Sequence, residues 1–206
     1  MQKRKRDSYH HGDARNALLK AATSLIEGVG AQGISLREVA DKAGLSRQAP
    51  YNHFADKEAL LAELVRVGFA RLEAGIHSVK GYPSGAAALE RAAEAYIGFA
   101  QAAPALFRLM FSRELVDVSR FPAAQEAAAG AFGSLSTIMT TLAPRERVAE
   151  LSLAAWCLVH GYATLCIETA LEAPARRAQR ARLFARIIRN DAADERPQCR
   201  PHMNAR

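Results

Sequence analysis

Residues 34–54, ISLREVADKAGLSRQAPYNHF, constrain the fold of this chain more than any other segment. Ser35 followed three residues later by Glu38 is a capping box, in which the hydroxyl takes a first-turn N–H while the carboxylate reaches back to the serine N–H. That pair sets where a helix begins. Leu36, Val39 and Ala40 share its buried face, and the smallness of Ala40 lets a second helix cross closely. Gly44 then supplies a left-handed turn, Leu45 plugs the corner and Ser46 caps the next helix. The spacing predicts two short crossed helices, 35–43 and 47–53. Pro50 removes an early hydrogen bond from the second and restricts Ala49, so its first turn is expected to be distorted.

The outer side of that second helix carries Arg47, Gln48, Tyr51 and Asn52, which suits it to a major groove. Arginine forks onto guanine, and glutamine or asparagine pairs with adenine. A purely structural helical hairpin is the alternative. A formal charge of +7 and a pI near 9.7 agree with an anionic partner. Lys3, Arg4, Lys5 and Arg6 form either an arm along phosphates or a solvated terminus. A second basic series, Arg176, Arg177, Arg180, Arg182, Arg186 and Arg189, reads as a solvated rim with some attraction for DNA. A membrane-surface role for that series would explain one helix and leave the capping box and the Gly44 turn without a purpose.

Alanine and leucine dominate the half of the chain that is apolar, which favours an all-α fold, because unbranched side chains lose little rotamer freedom in helices. Besides 35–43 and 47–53, helices are expected at 13–28, 57–76, 86–102, 105–111, 123–142, 145–171 and 175–189. Gly28 and Gly30 are expected to end the first. Pro104, Pro122, Pro144 and Pro174 each stand where a helix begins and a missing N–H costs little. The cluster Gly81, Tyr82, Pro83, Ser84 and Gly85 is the clearest break. The expected organisation is a three-helix helix-turn-helix domain at 1–65, a C-terminal helical bundle at 66–190 and a flexible tail at 191–206. Cys157, Cys166 and Cys199 are an odd number with no secretory core behind the basic start, which points to the cytoplasm. The most apolar stretch, 151–167, is shorter than the ~20 residues a membrane span needs.

Tyr9, His10, His11, Gly12 and Asp13 ahead of the first helix, the capping box, and the run PYNHFADKEALL at 50–61 together resemble the TetR/AcrR family of regulators over about the first 65 residues. The resemblance implies a homodimeric, ligand-responsive repressor that binds double-stranded, palindromic operator DNA and is not an enzyme. A sequence-tolerant architectural DNA binder is the alternative. It further implies phosphate contacts from Ser35, Arg37, Ser46, Tyr51, His53 and Lys57 and base contacts from Arg47, Gln48 and Asn52. Lys57 opens a helix whose positive dipole end also favours a phosphate, and Phe54 is expected in the core. In that family the long helix from Lys57 is the lever between the reading head and the ligand-binding bundle.

The segment WCLVHG at 156–161 is similar to the Trp-x-x-x-His-Gly signature of one C-terminal branch. Trp156 and His160 share a helical face, and Gly161 allows a neighbouring helix to approach. Phe99, Phe107, Met110, Trp156 and His160 are expected either to line an apolar effector cavity with His160 as its polar anchor or to be ordinary core. The effector itself is not named by these residues. For dimerisation the expected seam is Val148, Leu151, Ala155, Leu158, Tyr162, Leu165 and Thr169, with Leu183, Phe184, Ile187 and Ile188. Cys157, His160 and Cys166 are too few to hold a metal and no Cys-x-x-Cys pair occurs, so neither a metal, a cofactor nor a catalytic residue is expected.

Overall fold

A computed structural model describes the backbone of residues 3–78, 85–169, 171 and 173–193, and the side chains from Asp13 onward within those ranges. Among the described residues there are eight α-helices and no strand: α1 Lys3–Gly33, α2 Leu36–Ala43, α3 Lys57–His77, α4 Gly85–Ala102, α5 Pro104–Met110, α6 Pro122–Met139, α7 Val148–Thr169 and α8 Arg177–Ala193. The fold class is all-α, an N-terminal helix-turn-helix unit against a C-terminal helical bundle.

Several boundaries differ from the sequence reading. The first helix begins at Lys3 rather than at residue 13, because nothing before Asp13 removes a backbone N–H. Gly28 does not end it; only Gly30, at φ 75° and ψ 162°, interrupts the helical path before one more turn to Gly33. Arg145–Arg147 is a 3-10 turn that precedes α7. Asp191 to Ala193 belong to α8 rather than to a flexible tail. Residues 81–84, Cys199 and the rest of the tail lie outside the described residues, as do the side chains of the basic N-terminal run.

α4 and α8 bury stripes rich in alanine, Ala92, Ala93 and Ala100 in the one and Ala181, Ala185 and Ala192 in the other, which allows close packing. α3 runs against α6 and reaches α4 and α5, while α4 lies between α7 and α8. One apolar core runs without a break from Leu18, Ile26 and Val39 through Leu61, Val65 and Phe69 to Tyr96, Phe107 and Ala163. It crosses residue 65 inside α3, so this helix belongs to both halves. A second cluster around Leu89, Leu135, Met139, Leu151 and Ile188 fills the far end of the bundle. One helical segment, Arg145–Thr169, is apolar and long enough to cross a membrane by length and composition, and here it packs on α4, α6 and α8.

Candidate nucleic-acid interface

The turn between α2 and α3 is built as its residues dictate. Ser35 Oγ accepts the Glu38 N–H at 3.3 Å, and Glu38 Oε2 accepts the Ser35 N–H at 2.8 Å and its hydroxyl at 2.7 Å. Gly44, at φ 68° and ψ 29°, ends α2. The Leu45 N–H reaches the Ala40 carbonyl at 3.0 Å and the Gly44 N–H that of Asp41 at 3.2 Å, a Schellman closure that turns the chain sharply.

Beyond this closure the chain does not form the α-helix expected at 47–53. It forms a 3-10 turn, Ala49–Asn52, because Pro50 has no N–H to donate and the local bonds step back three residues. Ala49 donates to Ser46 at 2.9 Å, Tyr51 to Gln48 at 3.2 Å and His53 to Pro50 at 3.0 Å. Gln48, already helical at φ −81°, takes the N-cap position, so the expected Ser46 side-chain cap is not made. Pro50 and Phe54 turn inward and lock the turn to the core.

The opposite edge faces out. Ser35, Arg37, Ser46, Arg47, Gln48, Tyr51 and Asn52 are exposed, Tyr51 by 48%. Arg47 Nε lies 3.5 Å from Asp41 Oδ1 with both side chains largely exposed, a contact that leaves the guanidinium open to competition. His53 and Lys57 are half-buried. Lys57 Nζ donates to the Gln32 carbonyl at 2.7 Å, tying α3 to the end of α1, and the N-terminus of α3 is capped by Asp56 through the Ala59 N–H at 2.8 Å. Seven of the nine predicted residues are thus exposed along α2 and the turn that follows it, while His53 is half-buried and Lys57 is engaged inside the chain.

The platform beneath is held by a charge cluster invisible to motif reading. Glu63 in α3 accepts Arg66 at 2.7 Å and Arg15 from α1 at 3.0 Å, and the Arg15 guanidinium also lies 5.6 Å from the centroid of the Phe54 ring. Burial alone would raise the Glu63 carboxyl; hydrogen bonds from Arg66 and Arg15 outweigh it and hold the group below the usual carboxylate range. Two further carboxylates join this platform to the bundle. Glu27 caps the N-terminus of α5, and Glu58 accepts the Asp117 N–H at 3.4 Å and Arg120 Nη1 at 2.6 Å.

In the bundle, His160 is enclosed by rings: Phe111 at 4.4 Å, Phe107 at 5.4 Å and Tyr96 at 6.3 Å between centroids. Its Nδ1 shares a 2.8 Å hydrogen bond with the Tyr96 hydroxyl. Burial lowers the His160 pKa and raises that of the Tyr96 phenol, so both are neutral near pH 7. Tyr96 and Phe111, which the sequence reading does not single out as site residues, complete this box; the available signal for Tyr96 is its i, i+4 neighbour relation to Ala92 and Ala100 on the buried face of α4. Met110 packs on α3, where a Cβ at Gly68 would stand 2.6 Å from its Sδ. Phe99 stands apart, its ring centroid 5.6 Å from the Arg71 guanidinium.

A small cavity of about 20 Å³ lies beside Tyr96, lined mostly by α4, α7 and α8 and closed by Ile76 of α3 and Leu135 of α6. Of the five residues expected to line a pocket, only Trp156 reaches it. Among the described residues no group of three His, Cys, Asp or Glu side chains is gathered as a metal site would require.

The expected dimer seam is also redrawn. Leu151, Ala155 and Tyr162 are buried within the chain, and Ile188 with them. The outward stripe of α7 is Leu153, Cys157, Gly161 and Leu165, four residues apart, with Leu153 exposed by 57% and Leu165 by 49%. A Cβ at Gly161 would meet nothing within 4 Å, so the close helix approach expected at this glycine is not made within the chain.

Residues 18–64 match the family model of bacterial regulatory proteins of the tetR family, and residues 89–190 match that of the tetracyclin repressor-like C-terminal domain. Among solved structures, a protein with unknown function from Rhodococcus sp. RHA1 is 29% identical with a TM-score of 0.78, over 94% of this chain and 100% of that one. A transcriptional regulator from the same source is 23% identical, with a TM-score of 0.72 over 89% and 99% of the two chains. The TetR family transcriptional regulator PfmR from Thermus thermophilus is 20% identical, with a TM-score of 0.66 over 84% and 97%. No curated protein matches the chain in sequence.

Proposed function

Since the chain belongs to the TetR family of bacterial transcriptional regulators, we propose that it is a ligand-responsive repressor that binds a palindromic operator as a homodimer in the cytoplasm. The observation that carries the reading is the exposed edge of the 46–52 turn, where a guanidinium, two side-chain amides and a phenol project from a backbone locked by Gly44 and Pro50. A rigid, outward, hydrogen-bonding edge of this size fits a major groove.

In this reading residues 1–65 hold DNA and residues 66–190 hold effector and partner copy. Arg47, Gln48 and Asn52 read bases. Ser35, Arg37, Ser46, Tyr51 and His53 hold phosphates, and Lys57 joins them by exchanging the Gln32 carbonyl for a phosphate oxygen. Phe107, Trp156 and His160 surround Tyr96 in the effector region, while Met110 packs on α3 and Phe99 lies beside Arg71, apart from that box. The partner copy covers the α7 stripe together with Leu183 and Ile187 of α8, the latter 44% exposed. Burying such a self-complementary face about a two-fold axis gives a four-helix interface. Effector release of DNA then requires a coupling of about 1 to 3 kcal/mol between the two sites.

Selection of bound duplexes from random DNA by the purified protein tests this. The expected product is an inverted repeat with half-sites about 34 to 36 Å apart, bound at least ~10³-fold tighter than random duplex. Equal affinity for all duplexes would replace operator recognition by sequence-tolerant, architectural binding.

A further inference from the structure

We propose that the effector is a small uncharged hydrophobe held between α4, α7 and α8 and admitted by Trp156 and Phe184, an assignment that rests on the ligand-responsive reading above. Ala92, Ala155 and Ala185, one from each of these helices, leave the space that larger side chains would fill. No side chain lining it carries a charge. An ionised ligand would therefore lose its hydration with no counter-charge on the wall, whereas an apolar one loses nothing. The Tyr96 hydroxyl on this wall is already turned to His160, and both groups are neutral near pH 7.

At about 20 Å³ the cavity has room for about one water-sized body, whereas ligand pockets hold about 300 Å³ or more, so entry requires side chains to move. The lining residues are buried except Trp156 and Phe184, which reach the surface. Both rest edge-on against other rings, Trp156 on Tyr96 and Phe132 at 5.3 and 5.6 Å, and Phe184 on Tyr162 at 5.4 Å. Tyr96 is the shared wall between this cavity and α5, its ring 5.8 Å from that of Phe107. A guest that lifts Trp156 thus presses on Tyr96, and through Phe107 on the helix capped by Glu27 of α1.

Octanol and octanoate share a chain and differ in charge at about pH 7.5, which makes them matched probes. Trp156 is the single tryptophan, so its emission reports the cavity directly. With the full-length protein, octanol should give a saturable emission change, a Tm rise of about 5 °C at about 100 times its Kd, and about fivefold weaker operator binding. Octanoate should bind at least tenfold more weakly. Ala92→Leu should abolish the octanol response, with Ala185→Val as the milder filling if the first does not fold; Trp156→Phe should lose the emission signal and keep the Tm rise. Equal binding of octanoate, or no saturable response to either probe, overturns the assignment. Octanol binding with unchanged operator affinity supports the cavity chemistry and overturns the ligand-responsive reading instead.

Discussion

One carboxylate oxygen of Glu27 accepts the backbone N–H of Leu106, 79 residues later in the chain, at 3.2 Å. The other accepts the Ala105 N–H at the same distance. Pro104 opens α5 and Ala103 offers no capping side chain, so the helix borrows its cap from α1. A carboxylate there both satisfies orphan donors and faces the positive end of the helix dipole.

Glu27→Ala should therefore destabilise the chain by about 1 kcal/mol and lower Tm by about 2 to 4 °C in a thermal melt. Amide exchange should rise at Ala105 and Leu106 ahead of the rest of the bundle. Unchanged exchange at those two amides would show that solvent replaces the cap without loss.

At the exposed turn, Gln48→Ala and Asn52→Ala should each cost about 1 to 3 kcal/mol on the selected operator and relax preference at one base pair. Arg37→Ala should instead weaken every duplex alike and reduce the salt slope by about 1. Lys57→Ala should do the same and also lower Tm, because it releases the Gln32 carbonyl. Titrations of operator and random duplex at several salt concentrations separate the three patterns.

The outward stripe of α7 predicts the assembly. The Cβ that Gly161→Leu adds would meet no atom of its own chain within 4 Å, so the variant should leave the helical content unchanged while shifting sedimentation from dimer toward monomer. Cys157, four residues earlier on the stripe, should allow mild oxidation to cross-link two copies, and Cys157→Ser should prevent it. A dimer that persists in Gly161→Leu would place the interface elsewhere.

His160 gives stability a pH dependence. Burial holds its pKa below the ordinary 6.5, so as pH falls the unfolded chain takes up this proton first. Its contribution is complete above about pH 6.5 and is lost as pH falls through that value toward the folded-state pKa. His160→Gln, which keeps a partner for the Tyr96 hydroxyl, should flatten the fall in Tm below about pH 6.5 relative to the unmutated chain. Parallel curves for the two proteins would assign the acid loss to other groups.

Local chemistry alone determined the start of α2 at Ser35, the left-handed closure at Gly44, the inward turn of Phe54 and the helical content of the bundle, because each depends on residues within about one turn of one another. Pro50 announced a distorted turn in the same local way, though not that Ala49–Asn52 would be 3-10 and leave no α-helix in the segment. Tertiary packing decided the rest. Apolar residues surround nearly the whole circumference of α7, so periodicity could not choose between Leu151, Ala155 and Tyr162 and the stripe Leu153, Cys157, Gly161 and Leu165; only contact with α4, α6 and α8 did. The same holds for Tyr96 displacing Phe99 at the cavity wall and for Glu27 reaching Leu106. Partners far apart in sequence leave no spacing to read, and burial against a neighbouring helix is what selects them.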